Sequence, residues 1–248
     1  MENELTDRNF WAKYWESKKD LVFKVPANYT FYQLIQQIVK GKKITSAIEL
    51  GGFPGYYGIF LKKYHGIKVS LLDYFVHPKI LNDVLVLNDL TIYDVEIIET
   101  DLFTYQPQQK YDLVLSCGLI EHFKDTKDII AKHVPFLNEE GVLLITLPNF
   151  KGVNGWVQKN FDQYNFDKHY LECMNPAFLA QIAKDLGLKN VEAFYYGKFS
   201  TWLENKAEKA AIIKLFVKVI WYAGKIATKI VSIESKILSP YIVLKATK

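Results

Sequence analysis

The sequence contains very little arginine: Arg8 is the only one among 31 basic residues in a chain of 248. Bidentate recognition of phosphate and the reading of base edges both favour arginine over lysine. We therefore do not expect nucleic acid to be a partner. The net charge of +4 is unevenly distributed, because residues 201–248 carry nine lysines and three glutamates while the rest of the chain holds 22 basic and 24 acidic residues.

Cysteine is also scarce. Cys117 and Cys173 have no metal-like spacing and are expected to be reduced thiols of a cytoplasmic protein. The chain lacks HExxH, paired CxxC and GxSxG motifs, so hydrolase chemistry has no support and we expect no metal. It has no apolar run of about 18 residues that would span a membrane, and its polar first residues do not resemble a signal peptide.

The most informative stretch that is present is ITSAIELGGFPGYYGIFL, residues 44–61. An apolar run ends at Gly51-Gly52, and a pattern with helical spacing begins after Pro54-Gly55. A buried strand, a glycine-rich turn and a helix in this order present backbone N–H groups to a ligand. Glycine permits both the sharp turn and the close approach of the ligand. The stretch therefore predicts a ligand-binding turn.

From this point apolar runs alternate with helical patterns. Strands are predicted over Ile44–Leu50, Val69–Asp73, Val95–Glu99, Tyr111–Cys117, Val142–Leu147, Val191–Tyr196 and Tyr241–Ala246. Helices are predicted at 54–64, about 77–90, 119–137 and from Asn175-Pro176 to Gly187. The strands lack alternation of apolar and polar residues, which is typical of a parallel sheet covered on both faces. The pattern predicts a doubly wound α/β fold.

Two N-terminal helices are predicted, at residues 8–20 and at Thr30–Val39 with Thr30 as N-cap. The first carries Phe10, Trp11, Tyr14 and Trp15 on one face. These aromatic side chains either pack on the core, which we favour, or form a lid over a flat aromatic ligand. The stretch from Phe150 to Asn175 is rich in aromatic residues without a clear period, and a connection of this length is expected to cover a site.

Residues 201–238 have their own pattern. Five lysines fall within about 60° of one helix face: Lys214, Lys218, Lys225, Lys229 and Lys236. The other side is apolar: Ile212, Phe216, Val219, Ile220, Ala223, Ile230, Ile237 and Leu238. Two interpretations stay open. The segment packs on the domain with its lysines in water, or residues 206–238 make a peripheral contact with an anionic membrane surface or dock a partner.

Acidic residues stand at the ends of predicted strands. Glu49 lies two residues before the glycine turn, and Asp73 lies 22 residues after Gly51 at the end of the second strand. A carboxylate in the position of Asp73 can accept hydrogen bonds from the hydroxyls of a ribose. Asp101 ends the third strand. Because the strands are parallel, these side chains are expected to lie along one crevice.

Several segments together resemble the class I S-adenosylmethionine-dependent methyltransferases: ELGGFPG at 49–55, LLDYF with Asp73, ETDLF with Asp101, YDLVLSCGLIEHF at 111–123 and EEGVLLITLPN at 139–149. Within that family they are most similar to small-molecule enzymes like the ubiquinone-biosynthesis O-methyltransferases. The resemblance implies a Rossmann-like, mostly parallel sheet of seven strands whose last strand is antiparallel. It implies one methyltransferase domain, with a helical cap at 1–43, a core at 44–200 and 239–248, and the insertion at 201–238.

The resemblance also implies S-adenosylmethionine as cofactor and a set of residues that hold it: Glu49, Gly51, Gly52, Gly55, Asp73, Tyr74, Asp101, Leu102, Ser116, Cys117 and Ile120. The glycines form the turn near the methionine moiety, which Glu49 orients. Asp73 takes the ribose hydroxyls, and Asp101 with the backbone of Leu102 holds the adenine. Ser116, Cys117 and Ile120 line the cofactor where the fourth strand ends.

Phe53 departs from the family pattern, since it occupies the position of the usual middle glycine. A side chain there narrows the pocket or shifts the turn. This motivates an alternative function, a non-catalytic relative that acts as a binding or membrane-associated partner protein.

The expected reaction is methyl transfer to a small-molecule acceptor, at an oxygen atom. His122 is the candidate base, because it follows the fourth strand and the ordinary pKa of histidine suits proton transfer. His169 is a second, weaker candidate. His65, His77 and His133 are expected at the surface without partners. An aromatic lid suits a ring as acceptor, such as a phenol, a quinone precursor or the face of a sugar.

Overall fold

The computed structural model describes residues 4–204, 206–230 and 234–248. Within these ranges the strands are β1 (Ser46–Leu50), β2 (Lys68–Asp73), β3 (Val95–Glu99), β4 (Tyr111–Cys117), β5 (Leu137–Pro148), β6 (Lys189–Tyr196) and β7 (Tyr241–Thr247). They form one sheet in the order β3-β2-β1-β4-β5-β7-β6. Neighbours from β3 to β5 pair in parallel, and β7 runs antiparallel to both β5 and β6. The predicted seven-stranded, mostly parallel sheet is confirmed.

The described α-helices are α1 (Arg8–Ser17), α2 (Tyr32–Gly41), α3 (Tyr56–His65), α4 (Pro78–Leu87), α5 (Thr126–Ala131), α6 (Val153–Phe161), α7 (Gln163–Phe166), α8 (Pro176–Asp185) and α9 (Ala211–Ile230). Short 3-10 turns lie at Ile120–His122, Val134–Phe136, Leu171–Cys173 and Lys206–Glu208. The expected N-cap of α8 is confirmed, because the Asn175 side chain accepts from the backbone N–H groups of Ala177 and Phe178.

Two helix predictions were wrong. The continuous helix predicted at 119–137 is a 3-10 turn, the short α5 and a second 3-10 turn. Phe123 has extended backbone angles, and the Asp125 side chain then caps a new helix by accepting from the Asp128 N–H. At the start of α2 the N-cap is Phe31 in the left-handed region and not Thr30. Local backbone geometry thus overrides an apolar pattern that reads as helical.

The sheet is covered on both faces by apolar clusters. Ala47 of β1 and Leu113 of β4 belong to one cluster, whereas Ile48 and Val114, one position further along, belong to the other. Successive side chains of a strand point to opposite faces. Both sets must therefore be apolar, which explains why the strand sequences lack alternation.

The parallel register brings several strand ends to one edge. Leu50 at the end of β1 pairs with Leu72, and Asp73 follows in β2. Cys117 ends β4 beside Thr146 of β5. The strand order reverses between β1 and β4, and ligands of open α/β sheets bind in the crevice outside the strand ends at such a point.

The insertion before β7 contains α9. Val217 of α9 packs with Val157 and Leu203 in a small apolar cluster, so one side of the helix is docked on the rest of the protein. The predicted segment also includes position 205 and residues 231–233, which lie outside the described residues. Among those described, no helix has both the length and the apolarity needed to cross a bilayer.

Candidate functional site

A cavity of about 480 Å³ opens at the carboxyl edge of the sheet. Small-molecule sites in proteins typically enclose ~300–1,000 Å³. One half is lined by the glycine turn and acidic strand ends, including Glu49, Gly51, Gly52, Phe53, Asp73, Tyr74, Asp101 and Leu102. The other half is largely aromatic and includes Phe10, Trp11, Tyr14, Trp15, His122, Phe123, Phe150, His169 and Trp202. The first half suits a polar ligand group, and the second suits a flat apolar one.

The glycine turn has little space for side chains. Gly51 has φ +61° and donates its N–H to the Leu72 carbonyl at 2.8 Å. A Cβ on Gly52 would come within 2.2 Å of the Cγ of Glu49. Gly55 has φ +89° and donates to the Gly52 carbonyl at 2.6 Å. These positions require glycine, for backbone conformation in two cases and for space in the third.

Glu49 lies buried behind this turn. Its Oε2 accepts from the backbone N–H of Gly58 in the first turn of α3 at 2.8 Å. Burial raises the pKa of the Glu49 carboxyl to about 8, and the nearby charge of Asp73 adds to the effect while the hydrogen bond from Gly58 opposes it. At neutral pH the carboxyl is therefore largely protonated in the free protein.

Asp73 connects β2 to the glycine turn. Its Oδ2 accepts from the Phe53 N–H at 2.9 Å and its Oδ1 from the Phe75 N–H at 3.0 Å. Burial raises the pKa of Asp73 to about 6 against the effect of these hydrogen bonds. A carboxylate offers about four acceptor positions, so capacity remains for a diol.

The far end of this half is formed by Tyr74, Asp101 and Leu102. The Oδ1 of Asp101 accepts from the Phe103 N–H at 2.8 Å, which closes the loop after β3. Arg8 ties the start of α1 to the same region, because its guanidinium donates to the Tyr74 carbonyl. The structure thus brings these predicted residues into one cavity with the glycine turn.

Phe53 leaves the cavity open. Its ring is almost fully buried and packs edge-on against Trp15 with 5.2 Å between ring centroids. The side chain that departs from the family pattern thus joins the turn to α1. The open cavity does not favour the alternative of a non-catalytic relative.

The aromatic face of helix α1 packs against neighbouring residues and also lines the cavity. None of its residues is fully buried, and its four aromatic side chains line the cavity. Trp11 packs edge-on against the His122 ring at 5.0 Å. The helix is therefore a wall of the site as well as a packed element.

The three residues predicted at and just after the end of β4 differ in their position relative to the cavity. Cys117 lines the cavity, whereas Ser116 and Ile120 are fully buried and do not belong to its wall. The Ser116 hydroxyl donates to the Nε2 of His133 at 2.9 Å, and the Nδ1 of His133 donates to the Ile129 carbonyl at 2.8 Å. Of the three residues predicted to line the cofactor, Cys117 thus lies in the cavity wall, and Ser116 and Ile120 lie behind it.

The surface position predicted for His133 was wrong. The residue is completely buried, and burial lowers the pKa of its imidazole to about 4. His77 has a partner as well, because its Nδ1 accepts from the Ile80 N–H at the start of α4. His65 is partly buried, and burial lowers its pKa. The broken helix at 119–137 explains His133, since it turns this residue toward the core.

His122 is placed at the cavity by the 3-10 turn after β4. Its Nδ1 donates to the Lys168 carbonyl at 2.9 Å, which makes Nε2 the hydrogen-bond acceptor of a neutral imidazole. Burial, with a smaller contribution from the neighbouring His169, lowers the pKa of His122 to about 3. His122 therefore does not have the ordinary histidine pKa on which its prediction as a base was founded.

His169 and Glu121 complete this part of the site. The ring centroids of the two histidines are 4.9 Å apart, and the Nδ1 of His169 donates to the Asn165 carbonyl at 2.8 Å. Glu121 was not predicted. It is buried at the cavity with an Oε2 that has no hydrogen-bond partner, and burial raises its pKa to about 8. In the sequence, its position next to His122 and just after a predicted strand could have indicated a role in the site.

Among the residues that the structure describes, Glu121, His122 and His169 offer donor atoms that lie within 4.8 Å of one another and could hold a metal ion. The expectation of no metal rested on motifs along the chain. This group joins two separate segments, so no such motif includes it.

The ionisable side chains of the cavity wall are predominantly acidic. Its carboxyl groups are those of Glu4, Glu49, Asp73, Asp101, Glu121 and Glu204, whereas Lys168 is its lysine. The raised pKa values of Glu49, Asp73 and Glu121 mean that their ionised forms are poorly stabilised in the free protein. The cavity is therefore complementary to a positively charged ligand.

Comparison with known proteins gives a family and a fold. A methyltransferase-domain family model matches residues 26–193. A SAM-dependent methyltransferase from Archaeoglobus fulgidus has 16% identity and a TM-score of 0.55, over 87% of this chain and 91% of that one. Phosphoethanolamine N-methyltransferase 2 from Haemonchus contortus, solved with S-adenosyl-L-methionine, has 18% identity and a TM-score of 0.57, over 88% of this chain and 52% of that one. The chain thus spans about half the length of the Haemonchus enzyme.

No curated protein sequence matches the chain. At identities this low, the solved structures establish the fold alone, and they do not single out the ubiquinone-biosynthesis group. The family match covers well over half of the chain and includes the glycine turn and the acidic strand ends. The chain therefore belongs to the family of methyltransferase domains.

Proposed function

We propose that the protein transfers a methyl group from S-adenosylmethionine to an oxygen atom of a small-molecule acceptor. The observation that carries this proposal is the acidic, buried floor of the cavity. Glu49, Asp73 and Glu121 have pKa values that burial raises to about 8, 6 and 8. A sulfonium and an α-ammonium group would supply a positive charge that stabilises the ionised forms of these carboxyls. Such charges interact strongly where water is excluded.

The polar half of the cavity fits the donor. The backbone at Gly51–Gly55 would hold the methionine moiety, with Glu49 fixing the turn through Gly58. Asp73 would accept from the ribose hydroxyls, because its two existing hydrogen bonds leave acceptor positions unused. Asp101 and Leu102 would hold the adenine beside Tyr74. Cys117 would contact the donor directly, whereas Ser116 and Ile120 would support the wall from behind.

The aromatic half fits the acceptor. When bound, S-adenosylmethionine would supply an electrophilic methyl group: the acceptor oxygen would form a bond to the methyl carbon as the carbon–sulfur bond breaks, with S-adenosylhomocysteine as the leaving group. The protein's main task is then to hold that oxygen on the axis, and orientation of this kind supplies ~7–11 kcal/mol. Trp11, His122 and Phe150 offer flat surfaces against which a ring would pack. We therefore assign a hydroxylated ring, as in a phenol or a sugar, to this half.

His122 and Glu121 would divide the handling of the acceptor proton. Since Nδ1 of His122 donates to Lys168, its Nε2 can accept from an acceptor hydroxyl and orient the oxygen. The hydroxyl proton must leave as the new carbon–oxygen bond forms. With a pKa of about 8 against about 3, Glu121 is the stronger base of the two and would take that proton.

Titration calorimetry with S-adenosylmethionine and S-adenosylhomocysteine tests the proposal. We expect both to bind the wild-type protein and Asp73→Asn to weaken binding. Glu139→Gln is the control, because this exposed carboxylate at the start of β5 is paired with Lys248. No binding of either compound would refute the donor assignment. Binding with methylation of amines but not of hydroxyls in an acceptor panel would refute the oxygen assignment alone.

A further inference from the structure

Helix α9 presents three different faces along its 20 residues. The docked face comprises Ile213, Val217, Ile220, Gly224 and Thr228. The lysine row comprises Lys214, Lys218, Lys225 and Lys229. The outer apolar face comprises Ile212, Leu215, Phe216, Val219, Tyr222 and Ile226. At about 100° per residue the three sets occupy separate arcs of the helix, so each is a continuous strip.

The docked face fixes the rotation of the helix. Val217 is buried against Val157 and Leu203. Gly224 approaches Phe199 so closely that a Cβ there would lie 2.0 Å from the ring. Close contacts at two places along the helix fix its rotation about its own axis. The outer apolar face therefore points away from the rest of the protein.

This outer face is unusually exposed for apolar side chains. Ile212 is 71% exposed and Ile226, near the other end of the helix, is 60% exposed. Half-exposed Trp156 of α6 lies beside Phe216, with 6.4 Å between ring centroids, and continues the surface. Single exposed apolar residues are common, but a contiguous strip marks an interaction surface or a membrane contact.

The charges beside the strip indicate what covers it. The sequence of α9 contains four lysines and no acidic residue. Lys218 lies over the ring of Tyr222 at 6.0 Å and Lys225 over the ring of Trp221 at 5.1 Å. A row of lysines and amphipathic aromatic rings beside an apolar strip is the composition of a helix that lies in the plane of an anionic membrane surface. We propose that α9 docks the protein on anionic bilayers, with the outer apolar face in the lipid and the lysine row at the headgroups.

The segments beside α9 connect this surface to the cavity. Leu203, which packs on Val217, lies between Trp202 and Glu204, and both of these line the cavity. After the helix, the Asn149 side chain donates to the carbonyls of Lys236 and Ser239, next to Phe150 in the cavity wall. Membrane docking would thus hold the aromatic half of the cavity close to the lipid surface. The docking itself does not depend on the proposed reaction.

Vesicle sedimentation with the full chain tests the proposal. We expect the protein to pellet with vesicles of phosphatidylcholine and phosphatidylglycerol and much less with phosphatidylcholine alone. A lysine near an anionic surface contributes about 1 kcal/mol, which is about fivefold in affinity. Changing the lysine row to glutamine should therefore abolish detectable binding. The control changes four exposed lysines elsewhere to glutamine: Lys40, Lys43, Lys68 and Lys110.

A second variant separates the apolar contribution from charge. Ile212→Ser, Val219→Ser and Ile226→Ser together remove apolar surface from exposed positions, so the fold should persist by circular dichroism. Binding to anionic vesicles should weaken although every lysine remains. The proposal is overturned if the wild-type protein does not pellet with anionic vesicles, or if the control lysine variant loses as much binding as the lysine-row variant. A dimer in ultracentrifugation that this triple variant dissociates, without vesicle binding by the wild type, would assign the face to a second copy instead.

Discussion

Binding of a cationic donor should release protons from the cavity floor, and Glu49 allows the number to be worked out. With a pKa of about 8, its carboxyl is about nine-tenths protonated at pH 7 in the free protein. A bound cation that returned the pKa to its ordinary value of 4.5 would leave it ionised, with release of about 0.9 proton. Glu121 has a similar pKa and would add a similar amount, whereas Asp73, with a pKa of about 6, would add only about 0.1.

Calorimetry in buffers of different ionisation enthalpy measures this release directly. At pH 7 we expect between about one and two protons per S-adenosylmethionine bound, and about 0.9 fewer for Glu49→Gln, which keeps the oxygen that accepts from Gly58. The release should fall toward zero near pH 9, where the carboxyls of the free protein are already ionised. S-adenosylhomocysteine should release fewer protons, because it lacks the sulfonium charge.

The control for this experiment is Glu139→Gln. Its exposed carboxyl is paired with Lys248, which lowers the pKa of Glu139, so it is ionised at pH 7 with or without ligand. This variant should match the wild type. Binding enthalpies that do not depend on the buffer at pH 7, or a Glu49→Gln variant that releases as many protons as the wild type, would refute the account of the acidic floor.

Three further predictions concern single positions. Glu121→Gln should lower kcat and remove the rise in kcat/KM for S-adenosylmethionine that ionisation of this carboxyl in the free protein produces as pH approaches 8. An unchanged pH profile of kcat/KM would contradict its role as base. Gly52→Ala should abolish donor binding by calorimetry because its Cβ has no space, whereas Gly41→Ala, at an open position, should bind normally. Ser116→Ala should lower the free energy of unfolding in urea by ~1–3 kcal/mol, because the buried Nε2 of His133 loses the hydroxyl that donates to it. The affinity for S-adenosylmethionine should stay near that of the wild type.

Sequence reasoning predicted the sheet well because its signal is local. Each predicted strand is an apolar run, and runs such as Tyr111–Cys117 occur in the structure with the predicted bounds. It failed at 119–137, where the spacing of the apolar residues reads as helical. There the extended backbone at Phe123 and the cap at Asp125 break the helix, and His133 turns inward.

The candidate site was predictable to the extent that strand ends define it. Glu49 and Asp73 come together because parallel strands share one carboxyl edge, a rule that needs no further knowledge of the fold. The cluster around His122 could not be predicted in this way. Residues 150–175 bring His169 next to His122, and their helices α6 and α7 show no clear hydrophobic period in the sequence.

The acidic floor joins the fold of this protein to its proposed chemistry. Glu49 and Glu121 are completely buried, and their raised pKa values show that ionising either one in the free protein is unfavourable. Apolar side chains in these positions would avoid that cost, so packing alone does not account for two carboxyls here. A ligand that brings positive charge stabilises their ionised forms when it binds. The buried carboxyls that lower the stability of the free protein would then favour binding of the sulfonium donor over its neutral product. The same preference would help the product to leave.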